Sequence, residues 1–137
     1  NYHVPGHVEV LDGGTAGIML APFIENVEIL YVIDTAAVKA EPGSIHTFSY
    51  QDIQAGNFQA RMSPHQVGLL DILDLCLIRE TAPELIEMIT IVPRDLHMSI
   101  GLSSLMEKKL PEVMKLLNTS LAGHNTILQA RTPMSCA

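Results

Sequence analysis

The run Glu28-Ile-Leu-Tyr-Val-Ile33-Asp34 is the stretch that most restricts the fold. Its apolar residues are continuous rather than alternating, which is the pattern of a strand covered on both faces in a parallel sheet. The run stops at a carboxylate, Asp34, so the chain delivers a charged group to a strand's carboxyl end. In open α/β sheets ligands bind in the crevice outside those ends. Two readings of Asp34 stand at this point: a site carboxylate, or a cap for the loop Thr35–Gly43, whose Glu41-Pro42-Gly43 is a turn. Another strand is predicted over Ile86–Val92, stopped by Pro93.

A helix is predicted from about Pro64 to Arg79. Ser63 is suited to the N-cap, Pro64 to the first helical position, and Gln66 closes a Ser-x-x-Gln capping box. Only Asp71, Asp74 and Arg79 interrupt its apolar surface, so it is expected to lie deep against the sheet. His65 falls in the first turn, where the positive end of the helix dipole disfavours the imidazolium. A neutral histidine on a rigid element suits a metal ligand or a general base; decoration of a helix start is the plain alternative.

The remaining elements are shorter. His7–Asp12 is predicted as a strand running into Asp12-Gly13-Gly14-Thr15, with Thr15 as N-cap of a helix over Ala16 to about Ile24. This turn is either the lip of a crevice or an ordinary strand-to-helix connection. Ser44–Tyr50 alternates Ile45, Thr47 and Ser49 with His46, Phe48 and Tyr50, as a sheet-edge strand does. His46 there reads as a strand-surface residue. Gln51–Arg61 is predicted as a polar loop. His97 and Met98 fall in the loop Pro93–Ser103, where their spacing demands no site. Two short helical pieces, Ser104–Lys109 and Pro111–Leu117, are expected on either side of Pro111. The seven methionines read as core packing rather than a soft-metal site. The tail from about Leu121 is expected to fray.

The 137 residues form one domain, large enough to bury a core. Eight Lys and Arg against 15 Asp and Glu give a net charge of −7, which argues against nucleic-acid and anionic-membrane surfaces. No apolar run is long enough to cross a bilayer, and residues 1–6 lack the basic-then-apolar pattern of a signal peptide. Cys76 lies in an apolar helical run and Cys136 in the tail, so no disulfide framework is indicated and a reducing cytoplasm is expected. Dinucleotide and phosphate loops, the Gly-x-Ser-x-Gly elbow and His-Glu-x-x-His are absent from the sequence. What remains is Asp34, His65 and a glycine-rich turn. Oxygen and imidazole together suit a borderline divalent ion such as nickel, zinc or cadmium, although two ligands do not close a site.

Asp12-Gly13-Gly14-Thr15, Asp34 followed by Glu41-Pro42-Gly43, Ser63-Pro-His-Gln-Val-Gly-Leu69, Val92-Pro93 and Gly101-Leu-Ser103 occur in this order. In that order and spacing they resemble the endopeptidases that mature nickel–iron hydrogenases, and the resemblance runs to about Leu117. It implies a three-layer α/β/α sandwich around a mixed, mostly parallel five-stranded sheet with one antiparallel strand. It implies removal of a C-terminal extension from the hydrogenase large-subunit precursor once nickel is installed. It also implies a metal-binding triad of Asp34, His65 and an acidic residue nearer the N-terminus, with nickel supplied by the substrate. Asp34 and His65 are then the catalytic candidates and Asp12–Thr15 the substrate crevice. Two other classes remain: a non-catalytic paralogue that checks the nickel-loaded precursor, and an unrelated small α/β ligand-binding domain.

Family members begin with a strand, a loop carrying the first acidic ligand and a helix, and this sequence starts after that helix. The resemblance therefore implies a segment of about 20–30 residues upstream of Asn1, the size of a strand plus its crossover helix. Its strand would lie between those ending in Asp12 and Asp34. The reading frame upstream of Asn1 is expected to encode it; a stop codon directly upstream overturns that expectation.

Overall fold

A computed structural model describes residues 2–14, 17–55, 60–61, 64–95 and 101–131. In chain order the elements are β1 (Tyr2–His3), a 3-10 turn (Gly17–Leu20), α1 (Ala21–Ile24), β2 (Ile29–Thr35), β3 (Ala37–Val38) and β4 (Ile45–Ser49). There follow α2 (Tyr50–Gln54), β5 (Ala60–Arg61), α3 (Pro64–Ile78), β6 (Leu85–Ile91), α4 (Ser104–Ala122) and β7 (Gln129–Ala130). The class is α/β, as expected. The main sheet has the order β2-β6-β4, with β2 parallel and β4 antiparallel to β6. Two small antiparallel ladders, β1 with β7 and β3 with β5, stand beside it.

Register and side-chain alternation sort the core onto the two sheet faces. Leu30 and Ile86 pack with Ile72, Leu73 and Cys76 of α3, and with Ala21 and Ile24 of α1. Residues one step out of phase, Tyr31, Ile89, Ile91 and Ile45, pack with Val113, Leu117 and Leu121 of α4. Met88 and Ile89 are both 0% exposed, so β6 is the strand enclosed on both faces. Cys76 is likewise buried, and burial foremost, with the charge of Glu25 second, pushes its thiol pKa up. It is the inert core thiol its sequence position suggested.

The structure departs from the sequence reading at five places. His7–Asp12 forms no strand: a strand exists only in a ladder, and none of the described residues pairs with this stretch. The main sheet accordingly has three strands rather than five among the described residues, and β2 has one unpaired edge. Apolar side chains are left uncovered, with Val10 70%, Leu11 44% and Ile33 45% exposed. Gln51–Arg61 is not wholly a loop, because Ser49 caps α2 in a capping box with Asp52. The end of α3 is not enclosed, since Ile78 is 80% exposed.

The fourth helix is continuous through Pro111. Its face of Met106, Val113, Leu117 and Leu121 buries as one surface, which outweighs the amide hydrogen bond a proline removes. The stretch from Leu121, expected to fray, is held as far as β7. The Asn118 amide donates to the Leu128 carbonyl at 3.0 Å and accepts from the Leu128 N–H at 2.8 Å. His7 and Thr126 meet at 2.9 Å, tying the two ends of the chain together.

Two local devices fix the elements around the sheet's ends. Gly43 has φ +86°, and a Cβ there would lie 3.0 Å from Leu105 Cδ1 and 3.3 Å from Lys109 Cε on α4. Its N–H donates to the Val92 carbonyl at 2.7 Å, extending the β4–β6 ladder. A side chain at this position meets both a disfavoured backbone and a closed space. The Tyr50 hydroxyl donates to Asp74, clasping α2 to α3, and accepts from the Gln54 amide at 3.1 Å.

Gly43→Ala is expected to lower stability by about 2 kcal/mol or more, read by chemical denaturation, since positive φ alone costs about 1–2 kcal/mol. Burial, and secondly the bond to Asp74, push the Tyr50 phenol up to about 12 from its ordinary 10. The folded state therefore favours the neutral phenol. Its contribution is complete below pH 10 and is lost as pH rises from 10 toward 12. Tyr50→Phe should cost about 1 kcal/mol at pH 7 and flatten that alkaline decline; an unchanged decline in a series of melts excludes this origin.

Candidate functional site

Asp34 is the penultimate residue of β2 and pairs with Thr90, the penultimate residue of β6; Thr90 pairs in turn with His46 of β4. Residues in register share a face, so Asp34, Thr90 and His46 form one row. It lies on the α3 side, in phase with Leu30 and Ile86. One register step inward the same face carries Val32, Met88 and Phe48. The surface thus changes from apolar to polar within about 7 Å, two residue rises of a strand.

The orientation of α3 brings its start to this end. Its last turn is anchored where β2 and β6 begin: Thr81 N–H donates to the Cys76 carbonyl at 2.9 Å, and Asn26 N–H to the Thr81 carbonyl at 3.0 Å. Arg79 and Glu25 form an ion pair at 2.8 Å at the same place. About one turn in from that end, Asp74 meets Tyr50, which follows directly on the end of the antiparallel β4. At the other end β5, three residues before α3, pairs with β3 just beyond the end of β2. The helix runs about 22 Å, at 1.5 Å per residue, and β6 about 23 Å. Its first turn, with the backbone of His65, therefore lies level with the strand carboxyl ends. Ser63, expected as its N-cap, lies outside the described residues.

The Asp34 carboxylate is partly committed, since Oδ1 accepts from the Thr35 N–H at 2.6 Å. In the Asp12–Gly14 turn, Asp12 Oδ1 accepts from the Gly14 N–H at 3.1 Å, and Gly14 has φ +44°. Asp12 is exposed and held within its own turn, while Thr15 lies outside the described residues. Among the described residues, no three His, Cys, Asp or Glu are grouped to hold a metal ion. His97 and Met98 fall outside the described residues. None of the helices described is long and apolar enough to cross a membrane.

His46 is the residue that the sequence pattern undervalued. Alternation put it on one face of an edge strand but did not say which face of the sheet or what stood beside it. The register supplies both. A Ser–His pair also occurs here, Ser44 Oγ lying 3.1 Å from His46 Nε2. The hydroxyl proton is given to the Glu41 carbonyl at 2.7 Å, so this pair is not a nucleophile with its base.

An α/β domain with a carboxylate at a strand end and a histidine at a facing helix start belongs among known folds. The structure of the hydrogenase maturating endopeptidase HybD from E. coli superposes with a TM-score of 0.85 at 28% identity, covering 95% of this chain and 80% of that one. The hydrogenase 2 maturation protease of Escherichia coli (strain K12) is 32% identical over 124 residues, 87% of this chain and 75% of that protein. The hydrogenase expression/formation protein HupD of Rhodobacter capsulatus is 33% identical over 94 residues, 69% of this chain and 45% of that protein. Residues 1–120 match the HycI family of hydrogenase maturation proteases. The chain belongs to that family, and its class is that of a peptidase. The alternative of an unrelated small α/β ligand-binding domain is thereby set aside.

Removing the carboxylate with Asp34→Ala is expected to leave the fold intact. The far-ultraviolet circular dichroism should be unchanged and the melting temperature shifted by only a few degrees, because Asp34 is half-buried at a strand end rather than in the core.

Proposed function

We propose that this chain belongs to an endopeptidase that removes the C-terminal extension of the nickel–iron hydrogenase large-subunit precursor after nickel insertion. In this reading Asp34 and His65, together with a further acidic ligand, recognise nickel already bound in the precursor. Zinc or cadmium would occupy the same oxygen and nitrogen donors. The observation that supports the reading is that Asp34 and the first turn of α3 share one end and one face of the sheet. Family membership supplies the class of reaction.

Gripping the nickel would lay the precursor's tail in the crevice at the strand ends, with the Asp12–Thr15 turn as its lip. Cleavage then needs an activated water. The substrate's nickel acts as a Lewis acid in one form of this step, and a carboxylate takes the proton in the other. Cys76 is disfavoured as a thiol nucleophile, because it is fully buried with its pKa raised, and Cys136 lies outside the described residues. The net charge of −7 and the absence of a clustered basic surface in the sequence are consistent with a protein substrate rather than nucleic acid or an anionic membrane. A cytoplasmic location is the one in which hydrogenase precursors and free thiols would be met.

Incubating the full-length protein with nickel-loaded precursor and following the precursor's mass tests this reading. Asp34→Ala and His65→Ala should each slow loss of the extension by about 100-fold or more, the upper end of what a mere supporting contact at a metal site costs. Normal processing by either variant overturns the assignment. Tight precursor binding without any mass change in the unaltered protein favours the non-catalytic paralogue.

A further inference from the structure

We propose that His46 is a substrate-binding residue that accepts a hydrogen bond from a backbone N–H of the precursor's tail. This inference rests on the function proposed above. Four observations carry it. First, His46 occupies the same sheet row as Asp34, with only Thr90 between them, on the face that α3 covers. Second, its ring is half-buried and held in place: it stacks on Phe48 with centroids 6.1 Å apart and planes at 21°. The fully buried Thr90 adds a hydroxyl contact at 3.4 Å to the His46 carbonyl.

Third, the tautomer follows from the neighbours. Ser44 has one hydroxyl proton, and it goes to the Glu41 carbonyl at 2.7 Å. Ser44 Oγ can then only accept from His46, so Nε2 carries the ring proton at 3.1 Å. Fourth, in the neutral ring Nδ1 is then a lone-pair acceptor, and it has no hydrogen-bond partner among the described residues. Ser44 lies at the start of β4, level with the carboxyl end of β6, so the bond to it draws the ring toward the rim.

The spacing gives the subsite. Asp34 and His46 are separated by two interstrand steps of about 4.8 Å, or about 10 Å in all. An extended tail crossing the row advances about 3.3 Å per residue. His46 therefore reads a position about three residues from the one beside Asp34.

The test uses nickel-loaded precursor and the full-length protein. His46→Phe keeps a ring that can stack on Phe48 but has no acceptor. It should raise KM about tenfold with kcat within twofold, the pattern for a contact made equally in ground and transition states. His46→Gln restores an acceptor and should recover KM to within about threefold. Ser44→Ala, which unpins the tautomer, should raise KM severalfold. Long-range 1H–15N correlation on the free protein should show the Nε2–H tautomer at His46. An unchanged KM in His46→Phe, or an Nδ1–H tautomer, overturns the inference and leaves the endopeptidase reading standing. Failure of the unaltered protein to cleave removes that reading, and this inference with it.

Discussion

The parallel pairing of β2 with β6 is the constraint from which the rest of the structure follows. Seven consecutive register pairs, from Ile29 with Leu85 to Thr35 with Ile91, put both carboxyl ends at one edge of the molecule. Parallel strands cannot be joined by a tight turn, so the chain between them must cross back over a face of the sheet. Here that connection includes the antiparallel β4 and then α3, which returns from the carboxyl ends to the start of β6. The same pairing thus decides where Asp34 lies and where the first turn of α3 must begin. Core packing supports this geometry. Full burial of a side chain such as Met88 or Ile89 is worth about 1.5–3 kcal/mol each, and β6 is buried on both faces.

The parts legible in the sequence were those with a strong local signal. The largely apolar runs at Glu28–Asp34 and Ile86–Val92 gave β2 and β6 to within one residue at each end, because runs this short and rich in β-branched side chains suit strands. The capping pattern in the sequence at Ser63–Pro64 predicted a helix start, and α3 begins at Pro64. The elements missed depended on contacts distant in sequence. Leu121–Ala130 looks featureless until Asn118 is seen to hold Leu128 by two hydrogen bonds. Pro111 reads as a break unless the apolar face on both sides of it is taken as one surface. The short α2 was available locally, since Ser49 followed by Asp52 is a capping pair, but the polar residues around it read as a loop.

His7–Asp12 shows the opposite failure, a sound local pattern without a partner. Alternation and β-branched residues favour a strand only where another edge can take its hydrogen bonds. No described strand offers one, so the stretch keeps Val10 and Leu11 exposed, and β2 keeps Ile33 exposed. Propensity here is a statement about surfaces that fit a sheet rather than about the backbone alone. The candidate site was legible to a similar degree. Asp34 was marked by its position at a strand end and His65 by its cap. That the first turn of α3 lies level with Asp34 needed the fold, and so did the place of His46 in the same row.

The composition of the sheet face that α3 covers separates a site from mere fraying of the core. Along that face the rows read Leu30 and Ile86, then Val32, Met88 and Phe48, then Asp34, Thr90 and His46. If polarity simply rose toward both ends of the sheet, the row at the strand starts would also be polar. It is apolar instead, and Tyr50, which follows β4 there, is buried and bonded to Asp74. The polar row lies only at the carboxyl end. A fully buried threonine hydroxyl between a carboxylate and an imidazole does not add to apolar burial, and neither neighbour is at its most stable half-desolvated. On the face against α4 the corresponding rim row is Thr35, Ile91 and Ile45, and its two isoleucines pack into the core. That the α4-side rim row keeps two core isoleucines while the α3-side row keeps none indicates that the α3-side rim is shaped for something other than packing.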